Sequence, residues 1–175
     1  MAKNVNVEIN NDVQKAIDNY SSRIVTMKDF VSSVRQATGM YIGFVDERGY
    51  INMTREIFQN AVDQVIEPKS PCTTIFISFN EITKRVIVED FGGLGLPFND
   101  MVRILTTQHT SKNYKKELYN FPSGLHGVGA KITNALSEEF IAESYHYSGE
   151  ARRLVMKEGY PTTKEPVSIP NKEKK

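Results

Sequence analysis

Apolar residues recur at helical spacing in the first third of the chain and at alternate positions in two later pairs of stretches. Val13, Ala16, Ile17 and Tyr20 fall at i, i+3, i+4 and i+7, predicting a short amphipathic helix within 11–22. Met27, Phe30, Val31 and Val34 predict a second, ending at Thr38-Gly39 with the glycine as its C-cap. After a polar turn at Asp46-Glu47-Arg48-Gly49, a third helix is expected from Asn52 or Thr54. It carries Ile57, Ala61, Val65 and Ile66 and stops before Pro68. Thr73–Phe79 and Thr83–Val88 are β-branched and alternating, so they read as two strands joined at Asn80-Glu81. Residues 90–97 read as a glycine-rich loop, and Asn99 as the cap of a short helix holding Met101, Val102, Ile104 and Leu105. Residues 107–123 have no clear period and read as a loop or lid. Val128, Ile132, Ala135 and Leu136 place one more helix. Phe140–Tyr147 and Ala151–Lys157 then predict a hairpin through Ser148-Gly149. From Tyr160 the chain is expected to be extended or frayed. Helices, strand pair, helix, helix, strand pair is the order of an α+β fold. The expectation is a two-layer α/β sandwich, with helices on one face of a mixed, mostly antiparallel sheet.

Composition narrows this only a little. A chain of 175 residues, 39% hydrophobic and 25% charged, makes one globular domain and not a disordered segment. The net charge of +1 supplies no basic field with which this piece could grip nucleic acid. A single cysteine, Cys72, excludes an intrachain disulfide and suits a reducing compartment; it reads as a small buried residue. No apolar run approaches the ~20 residues of a membrane span, and Met1-Ala-Lys-Asn-Val-Asn6 is no signal peptide. The expected setting is therefore cytoplasmic, with no membrane partner.

Three clusters could carry chemistry. In Gly124-Leu125-His126-Gly127-Val128-Gly129 the glycines run straight into a helix, where backbone amides and the helix dipole can seat a phosphate. Lys131 would add a mobile charge beside that seat. The spacing is neither that of a P-loop nor that of the dinucleotide fingerprint, and a plain turn satisfies it as well. On the third helix Glu56 and Asn60 stand one turn apart with Gln59, Asp63 and Gln64 beside them. That pattern fits a solvated polar face, and equally a general base beside a Mg²⁺ ligand. Asp90-Phe91-Gly92-Gly93-Leu94-Gly95 follows a strand and could aim a carboxylate at the amine of a base, or be a simple turn. Its D-F-G imitates a kinase motif, but no H-R-D or A-P-E accompanies it.

Taken in order, an E-x-x-x-N helix, a strand ending D-x-G and a G-x-x-G-x-G helix resemble the Bergerat, or GHKL, ATPases. Met40-Tyr41-Ile42-Gly43, Arg55–Asp63 and Gly124–Gly129 with Asn134-Ala135-Leu136-Ser137 are most similar to the ATPase domains of type IIA DNA topoisomerases of the gyrase B kind. The resemblance covers 20 to about 160.

It implies ATP and Mg²⁺ as ligands. Glu56 would be the general base for the attacking water, Asn60 would hold the metal, and Asp90 would accept from the adenine amine, with Gly92 close to the ring and either Gly93 or Gly95 in the place of the family's second glycine. Gly124, Leu125, His126, Gly127, Val128 and Gly129 would cradle the phosphates, with Lys131 nearby. Ser111 and Asn113 match lid positions, and Tyr20 matches an arm that closes over a partner's nucleotide, implying a homodimer on nucleotide binding. The implied division is 1–38 arm and helices, 39–160 ATP-binding domain, and 161–175 an extended tail where the family domain would continue into its transducer. The implied function is ATP binding and hydrolysis within a type II topoisomerase, coupling ATP binding to dimer closure during DNA strand passage with a DNA-cleaving subunit or domain, in a bacterial cell or phage-infected host. The alternative is a catalytically weak nucleotide-binding or dimerisation module, a truncated or split relative. Two departures stand out: the 90–95 loop is one residue longer than D-x-G-x-G, and it lacks the usual basic residue.

Overall fold

The computed structural model describes residues 29–67, 70–93, 95–107, 128–146 and 148–171. The expected helix within 11–22, nearly all of the 107–123 lid and the glycines before Val128 lie outside them.

Helix α1 spans Phe30–Gln36, where the Asp29 carboxylate caps it by accepting from Ser32 N–H at 2.8 Å. It stops at Ala37, before the expected end. Gly39 lies inside the next helix, α2 (Thr38–Ile42), and Gly43, with φ of 79°, closes that one. Helix α3 runs from Glu47 to Ile66, starting between one and two turns earlier than expected. Asp46 is its N-cap, accepting from Arg48 N–H at 2.9 Å, and Glu47 adds a favourable first-turn charge. The stretch 46–49 resembles a turn in sequence because of Gly49. That glycine is a point of close packing instead, where a side chain would strike the Phe44 carbonyl. The helix ends where expected, Glu67 turning extended at φ −65°, ψ 117°.

Strands β1 (Thr74–Asn80) and β2 (Arg85–Phe91) form an antiparallel hairpin, pairing Ile77 with Val88 and Ile75 with Asp90. Asp90 therefore sits inside the strand end, not in the loop. Pro97 presets the entry to a 3₁₀ turn at Phe98–Asp100, so Asn99 caps nothing; helix α4 (Met101–Thr106) follows directly. Helix α5 spans Gly129–Leu136. Strands β3 (Glu139–Tyr145) and β4 (Ala151–Lys157) pair antiparallel over their whole length.

The segment after Tyr160 is extended, and it is held. Strands β5 (Tyr160–Pro161) and β6 (Val167–Ser168) both pair with the far edge of β4, two pieces of one edge strand. Pro161 and Pro166 account for the break, since neither can donate to a ladder. Every pairing among the described residues is antiparallel, in two ladders, β1–β2 and β3–β4 with β5 and β6. Arg85 of β2 bridges to Glu139 of β3 at 2.6 Å across the space between them.

Helix α5 is the hub. On one side Ile132 and Ala135 pack with Val31 and Val34 of α1. On the other, Ala130 joins a core of Met101 and Leu105 from α4 and Leu154 and Met156 from β4. Its polar residues serve as joints. Asn134, fully buried, donates to Leu105 O and Gly159 O, both at 3.1 Å, tying the end of α4 to the β4–β5 turn. Arg35 of α1 donates to Ala135 O at 2.7 Å and Ser137 O at 3.3 Å, satisfying carbonyls at the C-terminus of α5.

Candidate nucleotide site

The site is laid out along α3. Glu56, half-buried at the middle of the helix, faces the first residue of α5. A Cβ at Gly129 would lie 2.8 Å from Glu56 Cβ, 2.9 Å from its Cδ, and closer still to one carboxylate oxygen. No other residue fits there without displacing the acid, which explains the glycine at this position. Thr133, one turn along α5, shares its hydroxyl between Gly129 O at 3.0 Å and Met53 O at 3.3 Å, fixing the register of the two helices beside Glu56.

The opening of α5 carries no side-chain cap, because Val128 stands at the N-cap. The opening turn of a helix directs its first backbone N–H groups outward along the axis, where an acceptor can meet them. Lys131, expected as a mobile charge, is instead enclosed at 2% exposure. Burial disfavours its ammonium and pulls the pKa down to about 8.

Asn60, one turn beyond Glu56, is exposed. Two turns beyond, Gln64 meets the other end of the site. A Cβ at Gly93 would lie 3.4 Å from Gln64 Oε1 and 3.4 Å from Asp90 Cγ, with an Asp90 oxygen nearer still. From Glu56 to Gln64 is about 12 Å along the axis at 1.5 Å per residue. The helix therefore presents a carboxylate against a bare helix start at one end, and a carboxamide beside a strand-end carboxylate at the other.

The glycines of the 90–95 loop divide their work. Gly92 turns the chain at φ 88°, against Pro71 O. Gly93 lies beside Asp90. Gly95, at φ 70°, faces away towards β3, where a Cβ would come 2.7 Å from Ser144 Oγ and 3.0 Å from His146 Cδ2. Among the expected site residues, the structure thus gathers Glu56, Asn60, Asp90, Gly92, Val128, Gly129 and Lys131 around α3 and α5, with Gly95 packed on β3. Tyr20, Ser111, Asn113, Gly124, Leu125, His126 and Gly127 lie outside the described residues. Sequence reasoning missed Thr133, Ser144 and His146, each of which meets its partner only through the tertiary fold.

The helices layered on antiparallel ladders, with the site between α3 and the start of α5, define a two-layer sandwich of the Bergerat ATP-binding class. No protein-family profile matches the chain. It is 33% identical over 131 residues to the DNA gyrase B protein of Mycoplasmoides gallisepticum, covering 70% of this chain and 20% of that protein. It is 32% identical over 158 residues to that of Thermus thermophilus, covering 86% and 24%. The B protein of DNA topoisomerase 4 from Rickettsia prowazekii is 29% identical over 136 residues, covering 73% and 20%. Among solved structures, the 43K ATPase domain of Thermus thermophilus gyrase B in complex with an aminocoumarin matches with a TM-score of 0.64. That match has 28% identity and covers 82% of this chain and 35% of that one. The chain belongs to the family of gyrase B-like ATPase domains. It spans a fifth to a quarter of the length of these curated relatives.

Proposed function

We propose that the chain binds ATP along α3, with the triphosphate towards Gly129 and the base towards Asp90, and hydrolyses it with Glu56 as general base. The observation that carries this reading is the Glu56 carboxylate lying against the uncapped start of α5. An anion seated on those amides would have its terminal group beside a carboxylate able to take a proton from water. At the opposite end Asp90, an acceptor next to the bare Cα of Gly93, is suited to an exocyclic amine on a flat ring.

Mg²⁺ fits the donor set. Among the described residues no three His, Cys, Asp or Glu side chains cluster as an all-protein cage. Asn60 offers one exposed oxygen, which suits a cation that takes most of its ligands from phosphate and water. When bound, the metal would neutralise charge on the phosphates. Glu56 would orient and deprotonate the water, and the α5 amides would hold the triphosphate in place.

The wider role proposed is that of the nucleotide-driven gate of a type II topoisomerase. ATP would favour a homodimer, and a DNA-cleaving subunit or domain would act on DNA in the cytoplasm. No described helix is long and apolar enough to cross a membrane.

Two substitutions test the site. Glu56→Ala is expected to retain binding of a non-hydrolysable ATP analogue within about threefold and to lower phosphate release by about 100-fold or more. Asp90→Ala is expected to abolish measurable analogue binding by calorimetry. Undiminished phosphate release from Glu56→Ala would remove the acid from its role. Binding without turnover in the unsubstituted chain would leave a nucleotide-dependent dimerisation module.

A further inference from the structure

We propose that Ser144 of β3 and His146, just beyond its end, are positioning residues that set the base-side wall of the nucleotide site, an inference that rests on the ATP reading above. The chain leaves β2 at Phe91 and enters the 3₁₀ turn at Phe98, and between them the Leu96 peptide belongs to neither ladder of the described residues. Side chains of β3 take the place of a neighbouring strand. Leu96 N–H donates to Ser144 Oγ at 2.7 Å, and the Ser144 hydroxyl lies 3.1 Å from Leu96 O. His146 Nε2 stands 3.0 Å from the same carbonyl and donates to it as the Nε2–H tautomer.

The placement of these residues is specific. Along β3, Phe140, Ala142 and Ser144 share one face by the two-residue period of a strand, and His146 follows one residue past its end. Phe140 and Ala142 belong to the apolar core, and the face becomes polar only where the loop crosses it. Ser144 is 3% exposed, so its hydroxyl is spent on Leu96 and not on water. The His146 ring is stacked on Phe98, with centroids 3.8 Å apart and planes 12° from parallel, which fixes the direction of Nε2.

The coupling to the site is steric. Gly93 leaves no room for a side chain beside the Asp90 carboxylate, and a Cβ there would come to 3.4 Å from Gln64 Oε1, so a chain displaced at Leu96 would shift the backbone that lies against Asp90. The Glu56 end is held separately through Thr133 and is about 12 Å away along α3. Loosening Leu96 therefore weakens nucleotide binding without touching the hydrolytic step.

The test uses the full chain with a non-hydrolysable ATP analogue for affinity, and ATP for turnover. His146→Phe keeps the stack on Phe98 and deletes the donor. It is expected to raise the analogue Kd and the KM for ATP by about tenfold, the worth of one hydrogen bond, with kcat within about twofold. His146→Gln, which returns an N–H of similar reach, is expected to recover most of the affinity. Ser144→Ala is expected to match or exceed the His146→Phe effect; should it fail to fold, the half-exposed His146 decides alone. Unchanged KM in both variants, a fall in kcat at constant KM, or no rescue by glutamine would overturn the inference. An unsubstituted chain that does not bind the analogue would instead sink the ATP reading itself.

Discussion

The two ends of the site are built on different principles. At the phosphate end, α3 and α5 meet backbone to side chain, with Gly129 against Glu56 and no room for a methyl group. At the base end, the loop between β2 and α4 is suspended from β3 by the Ser144 and His146 hydrogen bonds to Leu96. Close packing is all-or-none, because a core that cannot yield must displace the group it contacts. Polar suspension is graded, because each bond contributes roughly 1 kcal/mol and can be lost singly. The end that holds Glu56, the proposed general base, is rigid. The end beside Asp90, where the adenine is proposed to sit, has adjustable ties.

The sharpest way to break this contrast is Gly129→Ala. The added methyl must push Glu56 aside, so phosphate release is expected to fall by about 100-fold, as for other misplacements of about 1 Å at a reacting group. Analogue affinity should change far less. Near-normal turnover would show that α3 and α5 can separate, and that the phosphate end is as yielding as the other.

Much of this arrangement is legible in the chain because it is local. The i, i+4 pair Glu56 and Asn60, the strand ending in Asp90 and the glycines running into α5 each declare themselves within a dozen residues. What is not legible depends on distance. Leu96 meets Ser144 and His146 across 48 and 50 positions, and Thr133 reaches Met53 across 80. A serine near the end of a strand and a histidine just past it carry no periodic signal that separates a buried hydrogen bond from a wet edge. The start of α3 is hidden because Gly49 resembles a turn, and only the packed Phe44 carbonyl shows why glycine stands there. Lys131 misleads for the complementary reason. A lysine beside a glycine-rich turn suggests solvent, whereas α5 is enclosed on both sides.

A second test sharpens the base end. Gly95→Ala forces a left-handed backbone onto an L residue, at φ 70°, and sets a methyl group 2.7 Å from Ser144 Oγ. Denaturant unfolding is expected to show a loss of about 1–3 kcal/mol, with a modest loss of affinity and unchanged kcat. A variant as stable as the parent would mean that the Leu96 suspension carries no load.

The smallest expected effect concerns charge. Lys131 is protonated below its pKa of about 8 and neutral above it, because burial favours the uncharged amine. If its ammonium assists the phosphate end, analogue affinity falls as pH rises from 7 to 9, by roughly three- to tenfold. The Lys131→Met profile over that range should be flat. Parallel profiles for the two proteins would confine the lysine to packing.

The single hydroxyl of Thr133, shared between carbonyls on two helices, also limits how such a domain can move. Sliding α3 past α5 would have to abandon that shared proton and could find a new register only a whole turn away, about 5.4 Å. A slide of that kind gives up the bond to Met53 O, roughly 1 kcal/mol, whereas a cleft that opens by swinging the two helices together keeps it and leaves Glu56 facing the head of α5.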